Sequence, residues 1–191
     1  MAGKPKALHP LVPLASLSFS THQIPAHNLI PNTSLAARPL IVYRAPFATT
    51  PSAEQIEAHL RAVGVCFPMW RWPMYPEDHF HTTAHEFVVV HRGRGRLNFG
   101  GRGCAGAVEV EVVPGDAVLI PGGVSHALLE DLGEKEGLGS FEMVGSYMEG
   151  SEHWDMCYGK HGEEEHVANI PNLTWFDKDP LYGEGGPAAK C

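Results

Sequence analysis

The run His79-Phe-His81-Thr-Thr-Ala-His85-Glu86 gathers three imidazoles and a carboxylate within eight residues, in a chain with 12 His among 191 residues. Residues two apart on a strand point to one face, so His79 and His81 present their rings together. Four residues separate His81 from Glu86, enough for a tight turn and re-entry into a new strand. That strand, Glu86–His91, is apolar enough to be buried on both faces, and a carboxylate at its start needs a compensating charge. A divalent cation beside two imidazoles supplies it. A second spaced run, Gly115, Pro121, Gly123 and His126, brackets the short apolar strand Ala117–Ile120 with turns. If the strand opening at His126 is antiparallel to the first pair, His126 points at the same centre. Three imidazoles and one carboxylate form a site for Fe²⁺, Mn²⁺, Ni²⁺, Cu²⁺, Zn²⁺ or Co²⁺. Four protein ligands leave one or two positions open in a five- or six-coordinate ion, as a catalytic site requires.

The elements that must carry these residues are mostly short strands. Leu40–Tyr43 opens the series, followed by Met69–Tyr75, Phe80–Thr82, Glu86–His91, Arg96–Phe99, Val108–Val113, Ala117–Ile120, His126–Leu129 and Phe141–Met148. Gly and Pro punctuate them every 8–12 residues, the pattern of a sandwich or barrel. One substantial helix is expected, capped at Thr50 or Ser52, with Ala53, Ile56, Leu60 and Val63 on one face and Gly64 as its stop. Residues 1–35 read as an arm on the body, 36–176 as one domain and 177–191 as a non-regular tail. The two metal motifs fall at 79–93 and 115–130 within that domain.

Composition narrows the partners. The net charge of −8 repels phosphate backbones and anionic lipid, so neither nucleic acid nor a membrane surface is expected as a partner. No run reaches the roughly 18–20 apolar residues of a membrane span. The start has the basic front of a leader, but His9, Pro10 and Pro13 interrupt its apolar part and no small-x-small cleavage site follows. The four Cys form no CxxC pair, which fits a reduced cytoplasmic compartment, with Cys66 a small core residue.

The two spaced runs resemble the cupin superfamily, whose first motif is HxH, three or four residues, Glu, six residues, Gly. Its second motif is Gly, five residues, PxG, two residues, His, three residues, Asn. His79, His81, Glu86, Gly93, Gly115, Pro121, Gly123 and His126 match, while Pro73 and Glu130 stand where Gly and Asn are usual. The run His81–Phe87 further resembles the YjlB-type single-domain cupins of bacteria and fungi. So do Trp70-Arg-Trp72, Val144-Gly-Ser-Tyr147, Trp154-Asp155 and Asp179-Pro-Leu-Tyr-Gly183. The resemblance implies an all-β double-stranded β-helix, or jelly-roll barrel, here with one short N-terminal helix. It also implies one divalent metal (Fe²⁺ favoured) on His79, His81, Glu86 and His126, and a homodimer. The fungal-like variant stands beside biosynthetic genes for small aromatic or polyketide-type metabolites.

Two side chains are candidates for moving a proton. Glu130 lies four residues past His126 and so shares its inward parity; the plainer reading is a solvated strand end. His85 adjoins Glu86 and by alternation faces the other side, where it is an outer-face or supporting residue. Val88, Val90 and Leu128 continue the inward parity, so the pocket is expected to be mostly apolar around one polar centre and to take a small organic substrate. Arg71 and Arg92 either pair with an anionic substrate or are surface charge. An oxidoreductase of the dioxygenase or oxidase type is the favoured function. A non-redox isomerase or lyase, with Glu130, His85 or Tyr75 moving the proton, and a binding cupin without chemistry are the alternatives.

Overall fold

The computed structural model describes residues 8–191; the basic front of the leader-like start lies outside the described residues. Among the described residues the strands are β1 (Ser18–His22), β2 (Leu40–Arg44), β3 (Cys66–Trp72), β4 (Glu86–Arg92), β5 (Gly95–Phe99), β6 (Val108–Val112), β7 (Ala117–Ile120), β8 (His126–Asp131) and β9 (Glu142–Met148). The helices are α1 (Ala53–Val63), α2 (Leu132–Glu136) and α3 (Glu164–Val167). One sheet has the order β1-β2-β7-β4-β9-β3 and the other β6-β5-β8, with every pairing antiparallel. This is the expected jelly-roll barrel.

Burial of both faces explains the apolar run Phe87–Val90 of β4. Val88 and Val90 face the barrel interior with Leu97, Phe99, Val118 and Phe141. Phe87 and Val89 face the opposite side, under α1, with Ile41, Tyr43, Leu119 and Val144. Both faces of the large sheet are thus covered, and its central strands need no polar side. Helix α1 starts where Ser52 and Gln55 form a reciprocal capping box, and Gly64 closes it in the left-handed region at φ 74°. The buried stripe is Ala53, Ile56, His59 and Leu60.

Residues 175–188 complete this outer layer, although they are irregular. Trp175, Phe176, Leu181 and Ala188 join the cluster under α1. Asp179 is fully buried and organises them. Its carboxylate accepts from the Tyr43 hydroxyl at 2.8 Å and from the backbone N–H groups of Leu181, Tyr182 and Ala188 at 2.9–3.0 Å. The buried carboxylate thus has four donors, two to each oxygen.

Two expectations about elements change. Phe80–Thr82 is not a strand; it is held by isolated bridges, His79 to His126 on one side and Phe80 to Cys157 on the other. The Pro121–Gly123 turn interrupts any longer ladder there. The second change is at β8, where the pairing with β5 slips: Leu97 opposes Leu128 but Arg96 opposes Glu130. Leu129 is the extra residue of this bulge, and a bulge reverses the facing of everything beyond it.

Candidate metal centre

His79 and His126 exchange backbone hydrogen bonds across neighbouring segments, at 3.3 and 2.8 Å, which sets their rings side by side. Their ring centroids are 4.2 Å apart, and His81 stands 5.6 and 5.1 Å from them. One nitrogen from each of the three rings lies within 4.8 Å of the other two. All three residues are at most 4% exposed.

Each Nδ1 is bound to a backbone carbonyl: His79 to Glu77 at 2.9 Å, His81 to Asp155 at 2.5 Å, His126 to Val124 at 3.0 Å. A carbonyl only accepts, so Nδ1 carries the hydrogen and Nε2 keeps its lone pair. This is how metal-binding histidines are oriented. The His126 Nε2 is buried and has no hydrogen-bond partner. An orphaned acceptor aimed between two like acceptors fits a cation, and the donor set of three neutral imidazoles suits a first-row transition ion.

Glu86 lies beside the triad, with Oε1 3.6 Å from His81 Nε2 and Oε2 3.4 Å from His126 Nε2. Tyr147, directly opposite Glu86 on β9, donates its hydroxyl to Oε1 and in turn accepts from the Trp70 indole at 3.3 Å. Burial alone would raise the Glu86 carboxyl, but His81, then His126 and the Tyr147 hydroxyl, outweigh it and hold it at about 2. Burial, then the Glu86 charge, pushes the Tyr147 hydroxyl well above its ordinary range. Burial holds His79 and His126 below the usual imidazole value. It also acts to lower His81, but there Glu86 prevails and the net direction is upward.

The centre opens into a cavity of about 230 Å³. Besides the three histidines and Glu86, its lining is mostly apolar and aromatic, with Trp70, Trp72, Tyr75, Met143, Tyr147 and Trp154 among it. The Trp154 indole lies parallel to the Tyr147 ring, centroids 4.7 Å apart and planes 5° apart. The one arginine of the lining, Arg71, is bound to Glu54 at 2.6 Å and Glu57 at 2.7 Å, and so ties β3 to α1. Arg92 pairs with Glu142 at 3.3 Å on the surface. Both arginines follow the structural reading.

Neither Glu130 nor His85 reaches this cavity, whereas Tyr75, named with them for proton transfer, lines it. Past the Leu129 bulge, Glu130 faces outward and pairs with Arg96 and Lys135. His85 points away from Glu86, its ring against Trp175 (4.9 Å) and Phe176 (5.8 Å). Its Nδ1 accepts from the Gly122 N–H at 2.9 Å, which holds the Pro121–Gly123 turn ahead of His126. Gly123 in that turn has φ 90° and donates to the His81 carbonyl at 2.8 Å. Val88, Val90 and Leu128 fill the barrel below the centre and do not line the cavity. Sequence reasoning missed Tyr147 and Trp154 as cavity residues. The signal for Tyr147 was its inward parity on the strand next to Glu86.

Comparison with known proteins agrees with this geometry. Residues 73–136 match the cupin domain. Over 151 residues, 78% of this chain and 82% of the other, the sequence is 31% identical to the uncharacterised protein YjlB of Bacillus subtilis strain 168. The chain belongs to the cupin superfamily, among its YjlB-type members. Solved structures similar to this cupin include an 11S globulin of Wrightia tinctoria (14% identity, 79% of this chain and 29% of that one, TM-score 0.35). Others are the Bacillus subtilis oxalate decarboxylase OxdC (16%, 63% and 22%, 0.32) and HEPD of Streptomyces albus (12%, 58% and 17%, 0.26). This cupin spans less than a third of the length of each of these three. Among the described residues no helix is long and apolar enough to cross a membrane.

Proposed function

We infer that this cupin is a metal-dependent oxidoreductase, of the dioxygenase or oxidase type, acting on a small organic molecule. The observation that carries the reading is the set of three Nε2 lone pairs, each fixed by an Nδ1 bond to a carbonyl, converging at the base of an apolar cavity. His79, His81 and His126 hold the ion, with Glu86 beside them as the fourth ligand; Fe²⁺ is favoured, and Mn²⁺, Zn²⁺, Ni²⁺ and Cu²⁺ suit the same donors. When bound, such an ion supplies Lewis acidity and, if redox-active, a route for electrons to dioxygen.

The chain's own residues define what is bound. At about 230 Å³ the cavity is smaller than the roughly 300–1,000 Å³ of drug-sized sites, so the substrate is small. Trp70, Trp154 and Tyr147 offer flat faces, which suits aromatic or polyketide-derived metabolites, and they exclude water from the centre. Arg71 is already paired with two carboxylates, which favours an uncharged substrate face at the rim. The test is oxygen uptake by iron-loaded protein across phenols, quinols, diketones and organic acids. Turnover with none of these, under any of the metals, would remove the reading.

A second reading, a non-redox isomerase or lyase, is favoured by the Tyr147–Glu86 hydrogen bond, which keeps a proton in the cavity lining. Turnover that persists without dioxygen on Zn²⁺ or Mn²⁺ would assign it, and tight binding without turnover would assign a binding cupin. A homodimer is part of the favoured reading. Edge strand β3 leaves Met69 and Trp72 59% and 57% exposed, and a second copy would cover them. Light scattering of the purified protein measures this directly.

A further inference from the structure

A second group of donor side chains lies behind the triad, on the far side of the His79–His81 segment. Asp155, Cys157 and His166 each offer one ligand atom, and the three lie within 4.8 Å of one another. The Cys157 Sγ is 3.7 Å from Asp155 Oδ2, and the His166 Nδ1 is 3.5 Å from the same oxygen. Zinc bonds of about 2.0–2.3 Å place tetrahedral ligands about 3.3–3.8 Å apart, so both separations already equal edges of such a site. The carboxylate is held for the purpose: the Thr82 N–H donates to Oδ1 at 2.6 Å and the Thr82 hydroxyl to Oδ2 at 2.5 Å. Outer hydrogen bonds of this kind fix ligating carboxylates.

We propose that Asp155, Cys157 and His166 form a second metal site, separate from the triad, for a thiophilic divalent ion such as Zn²⁺. Sulfur, imidazole and carboxylate together select zinc over the harder Mg²⁺ and Ca²⁺. Cys157 is buried, whereas His166 is exposed and lines a surface depression with Thr82, Thr83, Glu165 and Asn169. Water or Glu165 completes the fourth position. On binding, the sulfur–hydrogen bond of Cys157 breaks, a sulfur–metal bond forms, and the proton leaves to solvent.

The site is a clamp on the primary centre. The Asp155 carbonyl is the partner of His81 Nδ1, and Cys157 exchanges backbone hydrogen bonds with Phe80 at 2.8 and 2.9 Å. An ion here ties the 155–157 segment, which already bonds to Phe80, His81 and Thr82, to His166 of α3. It needs no particular ion, or any ion, on the triad itself.

Cobalt and zinc titrations test the proposal. Co²⁺ bound by a thiolate gives a charge-transfer band in the near ultraviolet, which imidazole and carboxylate ligands alone do not. The expected result is a band that saturates by about two equivalents in the wild-type protein and near one in His79→Ala, whose triad is broken, is removed by competing Zn²⁺, and survives Cys191→Ser. Cys157→Ser should abolish it, and His166→Ala should weaken Co²⁺ binding at least tenfold. His166 is on the surface, so that variant decides the matter even if Cys157→Ser fails to fold. No band in the folded wild-type protein, a band that disappears with Cys191→Ser, or one unmoved by His166→Ala would each overturn the proposal.

Discussion

Tyr147 and Glu86 face each other across β9 and β4, and the phenol donates its hydrogen to the carboxylate that stands beside the three histidines. Oε1 thus takes the phenol hydrogen while standing 3.6 Å from His81 Nε2, and Oε2 faces His126 Nε2 at 3.4 Å. Removing the phenol hydroxyl leaves a buried carboxylate oxygen with one donor fewer. Tyr147→Phe is expected to keep the fold and to lower metal affinity or turnover by about 10–100-fold, the usual effect of losing such a supporting bond. Calorimetric metal titration of the two proteins measures it.

His126 is the residue on which metal content depends most. Its Nε2 is the buried nitrogen without a protein partner, and its ring is the least exposed of the three. His126→Ala is expected to reduce the metal retained after gel filtration by more than tenfold, read by elemental analysis. Glu130→Gln is expected to leave it unchanged, because that side chain pairs with Arg96 and Lys135 outside the barrel.

Gly145 lies under the indole of Trp70. A Cβ built there would stand 1.9 Å from Trp70 Cε2, a rigid ring atom that cannot yield without moving the cavity wall. Gly145→Ala is expected to cost about 1–3 kcal/mol, as overpacking does, and to impair substrate binding more than metal binding. Urea denaturation and metal titration of one preparation separate these effects.

His85 sets a pH dependence of stability. Burial first, and then the Arg38 charge, lower its pKa from 6.5 to about 4. Its folded-state value lies below its unfolded one, so the unfolded chain binds more protons between them. Stability from this group is then fully present above about pH 6.5 and falls as pH drops toward 4, by about 3 kcal/mol in total. His85→Asn, whose amide oxygen replaces Nδ1 as acceptor for Gly122, is expected to flatten that slope in denaturation measured from pH 4 to 7.

Much of this arrangement could be read from the sequence, and the failures have particular causes. Continuous apolar runs bounded by Gly and Pro located β4 and β7, which are buried on both faces, and the Pro121–Gly123 turn located the start of β8. Strand alternation correctly turned His85 away from Glu86. It misplaced Glu130 because one inserted residue, Leu129, reverses parity, and no local composition marks a bulge of that kind. The carbonyl of Asp155 lies 74 residues from the ring it orients, and backbone atoms carry no sequence signature. The tail, expected to be non-regular, carries a short 3-10 helix at Ala188–Lys190, and its burial rests on Asp179, whose partner Tyr43 is 136 residues away.

That last separation also bears on synthesis. Tyr43 leaves the ribosome early, yet the carboxylate that receives its hydroxyl, and Leu181 and Ala188 that close over its neighbours, are translated near the end of the 191 residues. Until they emerge, the β-layer beneath α1 leaves Ile41, Phe87 and Leu119 uncovered. A nascent chain stalled before position 179 is thus a natural client for chaperones.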